Sequence, residues 1–122
     1  MIRFGAIMLG VTLSLLGSAL AEAAKNVSAP VVADTGDQVF CIAANAGSGD
    51  ISTIDVVAHV QLSDGTSGGG SSTNCGPVVP GAACKLQQAI GSAGSVFCEV
   101  IFSGKVRGSV CNLTKGLCLD TR

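Results

Sequence analysis

The chain has 122 residues, of which 48% are hydrophobic and 12% charged, and its formal net charge is −1. The basic side chains are dispersed along it, which argues against the clustered basic face of a nucleic-acid-binding protein. With four Phe and no Trp or Tyr, the chain also lacks the aromatic platforms typical of carbohydrate recognition, and its core must be built from small side chains.

The N-terminus has the three features of a cleavable export signal. Arg3 supplies a positive start, residues 4–16 are uncharged and apolar, and Ala19-Leu20-Ala21 offers small residues at the cleavage site. A retained transmembrane anchor is the alternative, but the run is shorter than the ~20 residues that span a bilayer, and Glu22 follows directly. We therefore predict that residues 1–21 form a signal-peptide helix that is removed, leaving no stable membrane anchor.

The mature chain begins as an extended lead-in and then becomes one β domain. Residues 22–37 form the lead-in, with an edge strand at Val31-Val32 next to Pro30, and residues 38–122 form the single domain. Residues 38–44 are apolar between turn signals, as in a buried strand. Residues 54–62 alternate between apolar and more polar side chains, which predicts a strand with one face inward.

The middle of the chain is rich in glycine and serine. Residues 63–72 contain Asp64-Gly65 and three successive glycines, a composition that predicts a mobile loop. The spacing of these glycines does not match a phosphate-binding loop. Val78-Val79-Pro80-Gly81 then predicts a strand end and a turn, and residues 83–90 are either a strand or a short helical turn.

The C-terminal third predicts a hairpin of residues 96–102 and 105–113 around Ser103-Gly104. A two-residue turn there would pair Phe97 with Val110. It would also place Glu99 and Arg107 on opposite faces, so the two could not form a recognition pair.

Six cysteines follow the export signal, which predicts three disulfides in an oxidising compartment. The Cys75–Cys84 and Cys111–Cys118 pairs would each enclose a glycine-containing turn, and Cys41–Cys98 would join two distant strands. Cys98 and Cys111 share a face of the predicted hairpin, so other pairings stay open. The spacings do not match common zinc sites, and no Cys-x-x-Cys redox motif is present.

Short strands between turn signals, with no long helical period, predict an all-β fold: a small antiparallel β-sandwich of Ig-like type, stapled by disulfides. Four segments, VFCIAAN (39–45), PGAAC (80–84), FCEVIFSG (97–104) and VRGSVC (106–111), resemble small secreted bacterial cysteine-containing proteins of unknown function. The resemblance spans about residues 38–111. It implies a compact β-sandwich and brings no catalytic residues, while the Gly/Ser segment and Cys118 depart from the pattern.

Catalysis would depend on His59, the single histidine of the chain. A Ser-His-Asp site would need Asp55 or Asp64 to orient it, and no nucleophile-elbow motif supports one. We therefore predict no catalytic residues, metal site or cofactor. The favoured function is a periplasmic or secreted structural or protein-binding module with a protein partner in the cell envelope. The alternative is a small secreted hydrolase or inhibitor, which would need a cleft that gathers His59, a carboxylate and a serine.

Overall fold

The computed structural model describes residues 24–121, so the predicted signal-peptide helix lies outside the described residues. Within this range the secondary structure consists of strands, and no helix is present. In chain order the strands are β1 (Ala24–Val27), β2 (Val31–Ala33), β3 (Val39–Asn45), β4 (Ile54–Leu62), β5 (Ser67–Cys75), β6 (Ala83–Gln88), β7 (Gly94–Phe102), β8 (Val106–Asn112) and β9 (Leu117–Asp120).

The strands form two antiparallel sheets. The four-stranded sheet has the order β9-β8-β3-β6, and the five-stranded sheet has the order β1-β7-β4-β5, with β2 also paired to β7. The disulfide-stapled, all-β sandwich predicted from the sequence is confirmed. The short edge strand at Val31-Val32 is also confirmed, as β2, and residues 83–88 are a strand rather than a helical turn.

The predicted C-terminal hairpin is wrong. β7 and β8 follow each other in the chain, but β7 pairs with β4 in one sheet, whereas β8 pairs with β3 and β9 in the other. The turn at Ser103-Gly104 therefore carries the chain from sheet to sheet. Phe97 lies opposite His59, and Val110 lies opposite Cys41. Two consecutive strands that each have one apolar face can bury those faces in either of two ways. They can pair side by side in one sheet, or they can lie in opposite sheets of a sandwich, and the local sequence does not distinguish the two.

The core lies between the sheets and consists mostly of small apolar side chains. Alternate residues of β4 are buried, as the sequence predicts, with Ile54 and Val56 fully inaccessible. Val96 and Val100 of the neighbouring strand β7 lie beside them, and Val39 and Val110 face them from the four-stranded sheet. Burying a Val or Ile side chain stabilises a fold by about 1.5–3 kcal/mol, so a core with few aromatic rings depends on many such contacts.

The six cysteines form three disulfides: Cys41–Cys98, Cys75–Cys84 and Cys111–Cys118. These are the three pairs favoured by the sequence. The first two cross between the sheets, at the centre and at the β5/β6 edge, while the third joins neighbouring residues of β8 and β9. Disulfides in a small domain are consistent with an oxidising, extracytoplasmic location.

The edge opposite the β5/β6 edge is closed by backbone pairing. Ser28, just after β1, forms an isolated bridge with Thr121, just after β9. The hydroxyl of Ser28 also accepts the backbone N–H of Cys98 at 2.9 Å. Both edges of the sandwich are therefore tied, one by a disulfide and one by the backbone.

The glycine-rich segment predicted as a mobile loop is instead mostly a strand, β5. A Cβ at Gly68 would lie 2.8 Å from the side chains of Val60 and Leu62, and one at Gly70 would lie 2.2 Å from the Ala58 carbonyl oxygen. The register between β4 and β5 shifts between His59 and Gln61. Gly68 thus leaves room for the side chains of β4, and Gly70 for its backbone, beside this irregularity. Composition alone does not distinguish such a strand from a mobile loop.

A buried amide ties two loops together at one end of the sandwich. Asn112 is fully buried, and its Nδ2 donates to the Val32 carbonyl at 2.9 Å and to Asp37 Oδ2 at 2.8 Å. This bond, followed by one from the Asp34 backbone N–H, keeps the pKa of Asp37 below its usual value. Lys115 pairs with the Asp34 carboxylate at the same place. We interpret these groups as a structural network.

Candidate functional site

The most organised group of chemically versatile side chains lies on the outer face of the five-stranded sheet. Lys25 of β1, His59 of β4, and Phe97 and Glu99 of β7 meet there, and we refer to these four residues as the outer-face cluster. Their positions follow from strand alternation, because each lies one residue from a position that faces the core. Pairing of β4 with β7 places His59 opposite Phe97 and Val57 opposite Glu99.

Glu99 is the centre of the cluster. Its Oε2 lies 2.7 Å from Lys25 Nζ, and its Oε1 lies 2.9 Å from His59 Nε2. The side chain is 18% exposed, whereas those of Lys25 and His59 are 58% and 41% exposed. The hydrogen bond from Lys25, and then that from His59, lowers the pKa of Glu99, outweighing the opposing effect of partial burial. The carboxylate is therefore held ionised by hydrogen bonds from side chains on the two strands that flank β7.

His59 also stacks on an aromatic ring. Its ring and that of Phe97 have centroids 4.7 Å apart and planes inclined by 12°. Because an ionised carboxylate only accepts hydrogen bonds, His59 Nε2 carries the proton in its bond to Glu99. The stack and the hydrogen bond together fix the imidazole in one orientation.

A shallow hollow of about 230 Å³ lies beside the stack. His59 and Phe97 line it, together with Val60, Gln61, Gly65 and Ser67. It brings a histidine that is bonded to a carboxylate near a serine, which is the arrangement that the hydrolase alternative requires.

The catalytic arrangement is nevertheless incomplete within residues 24–121. Ser67 Oγ accepts the Gly69 backbone N–H at 3.3 Å, and no serine hydroxyl in this range hydrogen-bonds to His59. Neither aspartate considered as an orienter fills that role: Asp55 pairs with Asn74, and Asp64 binds Thr66. The hydrogen bonds to Thr66 lower the pKa of Asp64, as expected for a carboxylate in a tight turn.

The sequence correctly places His59 on an outward face but does not find its partner. The predicted hairpin places Glu99 and Arg107 on opposite faces of one sheet, whereas in the structure the two residues belong to different sheets. The signal available in the sequence was that His59 and Glu99 each alternate with buried residues of their strands. This signal identifies the two as partners only once β4 and β7 are known to pair.

The six predicted disulfide positions are all occupied by bonded cysteines, and no free thiol occurs in the described part of the chain. Among the same residues, no group of three or more His, Cys, Asp or Glu side chains is arranged to hold a metal ion. No helix in residues 24–121 is long and apolar enough to cross a bilayer.

Comparison of the chain with protein-family models, with curated protein sequences and with solved structures gives no match.

Proposed function

We propose that the chain is an exported, non-catalytic, protein-binding module that works in the periplasm or outside the cell and binds its partner through the outer-face cluster. The observation that carries this proposal is the organisation of that cluster, in which an aromatic stack adjoins an ion-paired carboxylate on a solvent-facing sheet. Export is supported by the N-terminal signal features and by three disulfides.

The cluster has properties that favour binding over chemistry. The carboxylate of Glu99 accepts hydrogen bonds from Lys25 and His59, so its pKa is lowered rather than raised toward the value of a general acid near neutral pH. The imidazole is already bonded and stacked. Side chains ordered in advance lose little entropy when a partner covers them, which is useful in a binding surface.

The chemistry of the face also indicates the class of partner. Because the charge of Glu99 is balanced within the cluster, the centre of the face does not require a strongly charged ligand. Phe97, Val57 and Ile101 are half-buried around it and offer apolar contact area. A folded protein of the same compartment, with an apolar patch bordered by polar groups, fits this surface.

Site-specific photo-crosslinking in the native host tests the proposal. A photoreactive residue replaces Gln61, which is exposed on the outer face beside the cluster, and in a matched control it replaces Gln87, which is exposed on β6 of the other sheet. We expect one defined protein to be captured from position 61 and not from position 87. We also expect Phe97→Ser to reduce that capture about tenfold or more, since aromatic anchors dominate interfaces.

Equal capture from both positions, or capture unaffected by Phe97→Ser, would exclude this face as the binding surface. The hydrolase alternative makes a different prediction, because His59→Ala would then abolish turnover of an ester or amide substrate while leaving partner capture intact.

A further inference from the structure

The sandwich has one edge strand that lacks protection against pairing with another strand. β5 ends the five-stranded sheet, pairs with β4 on one side and pairs with no described strand on its other side. It has nine residues, SGGGSSTNC, with no charge and no proline, and most of them are exposed. Exposed edges of this kind readily accept another strand, because their backbone N–H and C=O groups are unpaired.

The other edges of the sandwich are protected. β6 carries Lys85, and β1 carries Lys25. β2 has three residues and directly follows Pro30. β9 has four residues including Asp120, and the bridge between Ser28 and Thr121 covers its end. Charge, proline, shortness and coverage are usual means of blocking edge pairing, and residues 70–74 of β5 have none of them. The register shift between β4 and β5, which is another such means, lies beyond Gly70.

We propose that two copies of the chain pair antiparallel through residues 70–74 of β5. Gly69 marks the limit of this segment, because its φ of +91° departs from extended strand geometry. With Ser72 opposite its own copy, Thr73 lies opposite Ser71, and Asn74 lies opposite Gly70. Every opposed pair is small and uncharged, so self-pairing brings no like charges together and allows hydroxyl–hydroxyl contacts.

A second copy fits this edge because antiparallel pairing of identical strands is two-fold symmetric and closes as a dimer. The seam uses the edge of the five-stranded sheet, because β5 is uncharged whereas β6 of the other sheet carries Lys85. The paired sheets would continue through both copies and carry both outer-face clusters on one surface. This inference does not depend on what the clusters bind.

Sedimentation velocity over a hundredfold concentration range tests the dimer, with protein produced by export of the full chain and purified without reductant. We expect the wild type to dimerise. Ser72→Lys would place two lysines opposite each other and should shift the equilibrium toward monomer by about tenfold or more. Ser103→Lys adds the same charge in the exposed turn after β7, two strands away from β5, and should dimerise like the wild type.

A mixture of Ser72→Lys and Ser72→Glu proteins provides a test that a misfolded variant would fail. Each variant alone should be monomeric, and the mixture should form the dimer again, because the opposed charges then attract. Ser72 is exposed on the outer face, so neither substitution reaches the core. A wild type that stays monomeric at every concentration, a Ser72→Lys protein that dimerises as well as the wild type, or a mixture that stays monomeric would each overturn the proposal.

Discussion

The interior of the sandwich and the outer face of its five-stranded sheet are made by alternate residues of the same strands, yet they differ in chemistry. In β7, Val96, Cys98 and Val100 are fully buried against the other sheet, whereas Phe97 and Glu99 between them face outward. The inward residues form apolar and covalent contacts, and the outward residues form an aromatic stack and ion pairs. If the proposed function holds, the inward face of this strand serves stability and its outward face serves recognition.

The largest effect should come from the disulfide at the centre of the interior. Replacing Cys41 and Cys98 with Ala should lower the free energy of unfolding by about 4 kcal/mol, because the bridge closes a long loop in the unfolded chain. Its sequence separation is 57 residues, and both cysteines are fully buried. Urea unfolding followed by circular dichroism measures the loss. A loss below about 1 kcal/mol would contradict a stability role for the interior bridge.

A smaller effect is expected for the bridge that lies within one sheet. Cys111 and Cys118 are 7 residues apart and belong to strands that are already paired. Their replacement with Ser should cost about 2 kcal/mol by the same loop-entropy argument. The same urea experiment serves for both bridges, and a larger loss here than for Cys41–Cys98 would reverse the proposed ranking.

The buried amide at the end of the sandwich extends the comparison to polar groups. Asn112→Ala should cost about 1–3 kcal/mol, because it leaves the Asp37 carboxylate and the Val32 carbonyl without their buried donor. Gln87→Ala is the matched control: this amide is exposed on β6, so its loss should be close to neutral. If thermal unfolding gave the same loss of stability for both variants, burial of the amide would not explain the contribution of Asn112.

The ion pairs of the outer face should have a modest and pH-dependent effect. Lys25 and His59 stabilise the ionised form of Glu99, so its folded-state pKa lies below the unfolded value of about 4.3. Their contribution is therefore present above that value and is lost as the pH falls through the folded-state pKa. We expect Glu99→Gln to cost about 1 kcal/mol near pH 6.

Measurement of unfolding free energy between pH 6 and strongly acidic pH should show this difference shrinking as the pH falls. Asp50→Asn is the control, since Asp50 is exposed in the loop before β4. A Glu99→Gln difference that grows toward acidic pH would have the wrong sign for this account.

Much of the fold follows from local patterns in the sequence. The alternation in β4 specifies its inward face, and the glycine-containing turns between Cys75 and Cys84 and between Cys111 and Cys118 favour local pairing. The sheet assignment of β8 could not be obtained in this way, because the choice between a hairpin and a crossover depends on contacts with β3, which lies far away in sequence. The same missing pairing concealed the bond between His59 and Glu99, which are 40 residues apart.

The central claim is that the outer face recognises a partner and contributes little to stability. It is tested most directly by crosslinking from position 61 in a His59→Ala background, using protein whose free energy of unfolding has been measured. The account predicts a protein within about 1 kcal/mol of the wild type that captures its partner several-fold less well, because the imidazole is partly exposed and outside the core. Undiminished capture by the folded variant would contradict the account.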